Sequence, residues 1–274
     1  QYVQSQVNNL KAKPEREGGT LPTRNGTPWS SNYQPETNVS PELSPEKASY
    51  YQSLIGVLRW ICELGRADIT MEVSAMASMM AMPREGHLEQ LYRMFSHLGA
   101  KHNSVMVFDP TEPDIDMNEF QKEDWSATPY GDSNEDIPAN ALSPKGIGFT
   151  MWAFVDSDHA GDLVTRRSRT GFIIYLNSAP IYWFSKKQTS VETSSFGSEF
   201  IAMKQCCEYV RGLRYKLRMM GIPVEGPTYV FGDNKSVLVN SSKPHSQLKK
   251  KSCSIAYHFV REGTARYEWR TAYI

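Results

Sequence analysis

Asp156, Glu199 and Asp233 are the residues of this sequence best placed to do chemistry. Asp156 follows an alternating apolar run, Phe149, Met151, Ala153 and Val155. Glu199 lies in the first turn of a long amphipathic stretch, and Asp233 follows Tyr229-Val230-Phe231. Alternation is the period of a strand, and a recurrence every three or four residues is that of a helix. The three acids therefore stand at the ends of two strands and the start of one helix, from where they can converge. Carboxylates gathered in this way form a cage for hard, oxygen-loving divalent cations. Two Mg²⁺ ions about 4 Å apart, with Mn²⁺ as a substitute, supply the nucleophilic water and the charge neutralisation that phosphodiester hydrolysis needs. In such a site Asp156 is the shared ligand, because a central strand fixes it most rigidly. Glu199 holds one metal and helps to orient the water, and Asp233 holds the other. Any one of the three taken alone reads as an ordinary element-end residue; their joint placement in this order favours the site.

The elements that must position them follow from periodicity and punctuation. From Phe149 the period is 2, and strands are expected at about 148–156, 170–176 and 180–186, the last two joined by a short turn at Asn177-Ser178. A long helix follows, capped by Ser194 or Ser195, with Phe200, Met203, Cys207, Val210, Leu213 and Leu217 on one face and Gly221 as its stop. A strand at 228–232, helices at about 234–241 and 252–261, and a last strand at 267–272 complete the order. Such an order implies an α/β domain with a mixed sheet and helices packed on its faces.

Upstream the period is 3.6. Residues 1–43 are polar and rich in Pro, Ser, Asn, Thr and Gly, and read as a linker or wrapping segment. Residues 44–108 form a small helical subdomain. Ser44-Pro45-Glu46 opens its first helix, which ends at Gly65; a second runs from about Asp68 to Ala81, and a third spans roughly 86–98. Residues 109–147 are an acidic insertion or loop, with ten acids and one lysine between 109 and 136. Residues 148–274 are the mixed-sheet domain.

Composition narrows the class. Charged residues make up 22% and hydrophobic ones 40%, and no apolar run reaches the roughly 18 residues that span a bilayer, so no membrane partner is expected. The formal net charge of zero hides a division: residues 1–150 hold 12 Lys+Arg against 20 Asp+Glu, and residues 151–274 hold 18 against 10. A positive second half suits a polyanion. Four cysteines, two of them adjacent (Cys206, Cys207), read as buried free thiols of an intracellular, cytoplasmic protein. The start and end of the chain read as those of a piece of something longer.

The segment Val155-Asp156-Ser157-Asp158-His159-Ala160-Gly161-Asp162 resembles the opening of the ribonuclease H domain of copia-type retrotransposons. Arg167-Ser168-Arg169-Thr170-Gly171-Phe172, Trp183-Phe184-Ser185-Lys186-Lys187-Gln188, Ser198-Glu199-Phe200-Ile201-Ala202, Gly232-Asp233-Asn234-Lys235-Ser236 and Tyr257-His258-Phe259-Val260-Arg261-Glu262 continue it in order. Tyr51-Gln52-Ser53-Leu54-Ile55-Gly56 and Arg66-Ala67-Asp68-Ile69 are similar to the connection region that follows the polymerase palm. The resemblance runs from about residue 45 to the end. It implies a ribonuclease H-like mixed five-stranded sheet and Mg²⁺-dependent cleavage of the RNA strand of RNA–DNA hybrids during reverse transcription. It also implies partnership with the reverse transcriptase portion of the same polyprotein, in a retroelement particle where the element is active. By motif position Asp156, Glu199 and Asp233 match the first three catalytic acids, and Asp158 is a structural neighbour.

The departures are specific. Gly197 stands where many members carry an additional acid, and Ser252-Cys253-Ser254-Ile255 lacks the acid usual before the late Tyr-His. A fourth catalytic Asp, in an Asn-x-Ala-Asp motif, is not reached before Ile274, so a weak second metal site and an inactive fragment are expected. Hybrid recognition is mostly backbone contact. Arg166, Arg167, Arg169, Lys186, Lys187, Lys249, Lys250 and Lys251 are the expected phosphate contacts, with the lysine triplet equally readable as a solvated loop. Trp183 reads as a core residue or a stacking one, His258 as a packed or capping histidine, and His245 as an aid to product release. Two other classes remain: a degenerate or truncated copy that binds nucleic acid or scaffolds the polymerase without cleaving, and a transposase or integrase. The second is disfavoured because Glu199 lies between the two strand-end acids rather than after both.

Overall fold

The computed structural model describes residues 1–12, 26–120, 122–131, 133–248 and 250–274, with the side chains of residues 11 and 12 excepted. It divides into two compact units. The first comprises Gln1–Met106 with Asp162–Arg166 and Ser185–Lys187, and the second Val107–Gly161, Arg167–Phe184 and Gln188–Ile274.

In the first unit α1 (Tyr2–Ala12) has no counterpart in the sequence reading. Among the side chains of this helix that are described, only Val7 and Leu10 are buried, too few to print a 3.6-residue period on a polar segment. It packs against α4 (Glu85–Ala100). Between them lie α2 (Pro45–Glu63), capped by Ser44, whose hydroxyl accepts from the Lys47 N–H, and α3 (Thr70–Ala77). Pro45 sits at the start of α2, where a missing N–H costs nothing. Gly65, at φ 119°, supplies the left-handed residue that ends it. The helix expected over 68–81 is shorter than its pattern: a 3₁₀ turn at Ala67–Ile69 precedes α3, and turns follow Ala77. Tyr51, Leu58, Ile61, Met76, Leu91 and Phe95 fill the core of this unit. Residues 28–35 lie against α4: Gln90 Nε2 donates to the Pro28 carbonyl at 3.0 Å, and His87 Nε2 lies 2.9 Å from the Pro35 carbonyl.

The second unit is built on five strands, β1 (Met151–Asp158), β2 (Arg169–Leu176), β3 (Ala179–Lys187), β4 (Thr228–Gly232) and β5 (Trp269–Tyr273), in the spatial order β3-β2-β1-β4-β5. β1 pairs antiparallel with β2, and Asp156 stands opposite Gly171. β4 pairs parallel with both β1 and β5. The expected α/β class is the one found: a mixed five-stranded sheet flanked by helices, preceded in the chain by a helical subdomain. The turn between β2 and β3 is made by Asn177 at φ 49°, whose side-chain oxygen accepts from the Thr150 N–H at 2.9 Å.

One face of the sheet is covered by α5 (Ser195–Met219), joined by α6 (Lys235–Ser242) and α7 (Ser254–Ala265). The apolar side of α5 (Phe200, Met203, Cys207, Val210) meets Ala153, Val155, Ile174 and Val230 from the strands. Full burial of a side chain such as Phe200 contributes about 1.5–3 kcal/mol.

The opposite face is aromatic. Trp152 stacks on Tyr175 at 4.2 Å, and Phe154 lies 5.4 Å from Phe231. The acidic stretch reaches this layer and is more than a solvated loop. Phe120 packs edge-on against Tyr229 (4.7 Å) and Phe231 (5.2 Å), and Trp125 is buried. Several of its acids are paired: Glu123 with Lys243, Glu135 with Arg214 and Arg218 (2.6 Å each), and Asp136 with Arg266 (2.7 Å). Aromatics five residues apart anchor it as a strap, and its charges meet the basic residues of the helices. All four cysteines are buried free thiols.

Candidate metal centre

β1 carries Asp156 at an exposed position of its alternation, near the end of the strand. The buried members of the strand are Met151, Ala153, Val155 and Ser157, and Asp156 is exposed. The Ser157 N–H donates to Asp156 Oδ1 at 2.8 Å and restrains the carboxylate. β4 ends at Gly232. Asp233 follows, and Asn234 then caps α6, its Oδ1 accepting from the N–H groups of Ser236 (3.1 Å) and Val237 (3.2 Å). Asp233 is thus held between a strand end and a helix cap.

Ser194 caps α5 and places Glu199 just beyond its first turn. The helix start is fixed by buried Gln188 at the end of β3, whose Nε2 donates to Thr170 Oγ1 at 3.1 Å and to the Ser198 carbonyl at 2.9 Å.

One carboxylate oxygen from each of Asp156, Glu199 and Asp233 lies within 4.8 Å of the other two. Burial pushes the Glu199 carboxyl up to about 7, with further upward contributions from the charges of Asp156 and Asp233, while Ser157 pulls the other way. Crowded carboxylates raise one another's pKa, and a cation between them reverses the effect. An all-oxygen donor set with a small spread and uncompensated negative charge fits a hard divalent cation, which Asp156, Glu199 and Asp233 would hold between them.

The other expected site residues fall into distinct environments. Arg166, Arg167, Lys186 and Lys251 are exposed, and Arg166 adopts a left-handed backbone at φ 54°. Arg169 is half-buried on β2, opposite Asp158. Lys187 is paired with buried Asp162, and Lys250 with buried Glu192 at 2.7 Å. Lys249 lies outside the described residues.

The carboxylate of Asp158 packs over Gly161, where a Cβ has no room. His258, expected as packed or capping, is exposed, with Nδ1 2.6 Å from the Tyr130 hydroxyl. Gly197 leaves space that the Glu192 carboxylate and the Lys250 ammonium occupy. Gln188, Glu192 and Arg261 gained no role from the sequence, because a buried polar residue with long-range partners leaves no periodic trace.

The sequence is homologous to retrovirus-related Pol polyproteins of transposons. Over 211 residues, 77% of the chain, it is 26% identical to the Retrovirus-related Pol polyprotein from transposon RE1 of Arabidopsis thaliana. Over 240 residues, 86% of the chain, it is 22% identical to that from transposon TNT 1-94 of Nicotiana tabacum. The chain spans only 12% and 15% of these two relatives. No family model matches it. Among solved structures, the RNase H1 of the halophilic archaeon Halobacterium salinarum NRC-1 aligns with 46% of the chain and 85% of its own, at 10% identity and a TM-score of 0.35. Among the described residues no helix is long and apolar enough to cross a membrane.

Proposed function

We propose that the chain is the C-terminal part of a copia-type retroelement polyprotein. Its sheet domain is then a metal-dependent endonuclease that hydrolyses the RNA strand of RNA–DNA hybrids during reverse transcription. The observation that carries this reading is the convergence of Asp156, Glu199 and Asp233 from two strand ends and a helix start to within 4.8 Å.

Two Mg²⁺ ions, when bound, would neutralise charge on the scissile phosphate and ease ionisation of the attacking water. Asp156, on the central strand, would serve both ions. Asp233 would hold one from the end of β4, and Glu199 would hold the other and help to orient the water. The exposed Arg166, Arg167, Lys186 and Lys251 contact phosphates of the hybrid. Lys187 and Lys250, each neutralised by a carboxylate, contribute less to that contact than the sequence implies. The domain works in the cytoplasm beside the reverse transcriptase portion of its polyprotein.

The test is cleavage of a labelled hybrid with Mg²⁺ or Mn²⁺, using the chain alone and within a longer polyprotein segment. Asp156→Asn and Asp233→Asn should each abolish cleavage while leaving the fold intact. Cleavage surviving in Asp156→Asn would overturn the assignment. Hybrid binding with a steep salt dependence and no cleavage in either form would favour a degenerate, binding-only domain.

A further inference from the structure

Arg261, on α7, is only 3% exposed, and among the described residues no carboxylate pairs with it. Its Nη donors go to oxygens of one stretch of chain. Nη1 donates to the Asn240 carbonyl (2.8 Å), the Lys243 carbonyl (2.8 Å) and Ser246 Oγ (2.6 Å), and Nη2 to the Pro244 carbonyl (2.6 Å). The guanidinium sits among three rings, Tyr257 at 4.7 Å, Trp125 at 4.8 Å and Tyr130 at 5.7 Å. Tyr257 adds its own hydroxyl, which donates to the Ser246 carbonyl at 2.6 Å. A planar fork of five N–H groups prescribes where its acceptors lie, which a lysine cannot do. With no counter-ion to neutralise, this arginine acts as a template for the loop between α6 and α7.

That loop is tied to the candidate metal centre at both ends. It leaves α6, the helix that begins directly after Asp233. It returns through Lys250, whose Nζ lies 3.1 Å from Ser194 Oγ, the cap of the helix that carries Glu199, and 2.7 Å from Glu192 Oε2. Lys251, next in the chain, is exposed. The Trp125 and Tyr130 walls come from the acidic strap, so the strap and Arg261 together set the shape of the loop.

We propose that Arg261 is a positioning residue for the hybrid: it holds residues 240–246 in one conformation, so that Lys251 meets the phosphate backbone beside the carboxylates. It governs affinity for the nucleic acid and leaves metal binding untouched. This inference rests on the nuclease reading above.

The experiment follows steady-state hybrid cleavage with Mg²⁺, hybrid affinity by fluorescence anisotropy in EDTA, and Mn²⁺ binding by calorimetry. A wild-type chain that binds hybrid without cleaving it would defeat the nuclease reading, yet the anisotropy series would still decide the role of Arg261. Arg261→Met should raise KM, or Kd where no cleavage occurs, by about tenfold or more, within the ~10²-fold that a misplacement of about 1 Å can cost. Its kcat should stay within about threefold, the signature of lost uniform binding, and Mn²⁺ binding should not change. Combined with Lys251→Ala, Arg261→Met should add little, because both act through one contact.

Unchanged hybrid affinity, a fall in kcat alone, or effects of Arg261→Met and Lys251→Ala that multiply independently would each overturn the proposal. Should Arg261→Met fail to fold, Trp125→Leu, which removes one wall and none of the acceptors of Arg261, carries the same test. It should weaken hybrid affinity in a manner non-additive with Lys251→Ala, and unchanged affinity there would overturn the proposal equally.

Discussion

The Glu199 carboxyl should make the binding of a divalent cation at this centre pH-dependent in a range where ordinary carboxylates are silent. Burial and the charges of Asp156 and Asp233 raise it to about 7, so in the metal-free protein at pH 6 it carries a proton most of the time. A cation must displace that proton to use both oxygens. Treating the group as one site at about 7, binding should release about 0.9 proton at pH 6 and about 0.1 at pH 8. The apparent dissociation constant should fall about eightfold between pH 5.5 and 6.5, and only about 1.3-fold between pH 7.5 and 8.5.

The sign for stability runs the other way. The folded-state pKa lies above the unfolded value, so the metal-free fold binds this proton more tightly than the unfolded chain does. Its stability therefore declines as pH rises from about 4.5 to about 7, and bound metal offsets the decline. Calorimetric titration with Mn²⁺ in two buffers of different ionisation enthalpy counts the proton directly. Glu199→Gln should bind metal more weakly and release no proton between pH 6 and 8. A wild-type protein that releases none at pH 6, or a Glu199→Gln variant that still does, would refute the argument.

Two further expectations concern the scaffold. Glu135 accepts hydrogen bonds from both Arg214 and Arg218, which outweigh the upward effect of its burial and hold its carboxyl below the usual range. A depressed carboxyl stabilises the fold above its unfolded value of about 4.5, and the effect is lost as pH falls through the folded value. The stability difference between wild type and Glu135→Gln, from urea unfolding, should therefore shrink as pH falls below about 4.5; a difference independent of pH would contradict this. Gly263 lies against the indole of fully buried Trp269, leaving no room for a Cβ. Gly263→Ala should cost about 1–3 kcal/mol by overpacking, and an unchanged urea midpoint would show that the ring can move aside.

Much of this molecule is legible in its sequence, for physical reasons that differ by element. β1 and β4 are found because one face of each is dry: Ala153, Val155 and Val230 alternate with less buried neighbours. Ser194 and Gly221 bracket α5 because a cap needs a side-chain acceptor and a helix stop needs a left-handed residue, here at φ 70°. The three acids are legible because strand ends and helix starts are themselves legible. The strap is not. Its aromatics, Phe120, Trp125 and Tyr130, match neither structural period, and its charges look solvated until Arg214, Arg218 and Lys243 are in place. Lys187 and Lys250 mislead for a related reason, since Asp162 and Glu192 are remote in sequence and adjacent only in the fold.

The strap also decides where this protein can be cut. A recombinant piece starting at residue 148, the apparent onset of the strands, would discard Phe120 and Trp125 and uncover Tyr229 and Phe231. It would also strand the buried guanidinium of Arg214 without Glu135. Such a piece would present a sticky aromatic wall to its own copies and lose a wall of the Arg261 cage. The compact unit that holds most of the sheet begins at Val107, some forty residues before its first strand.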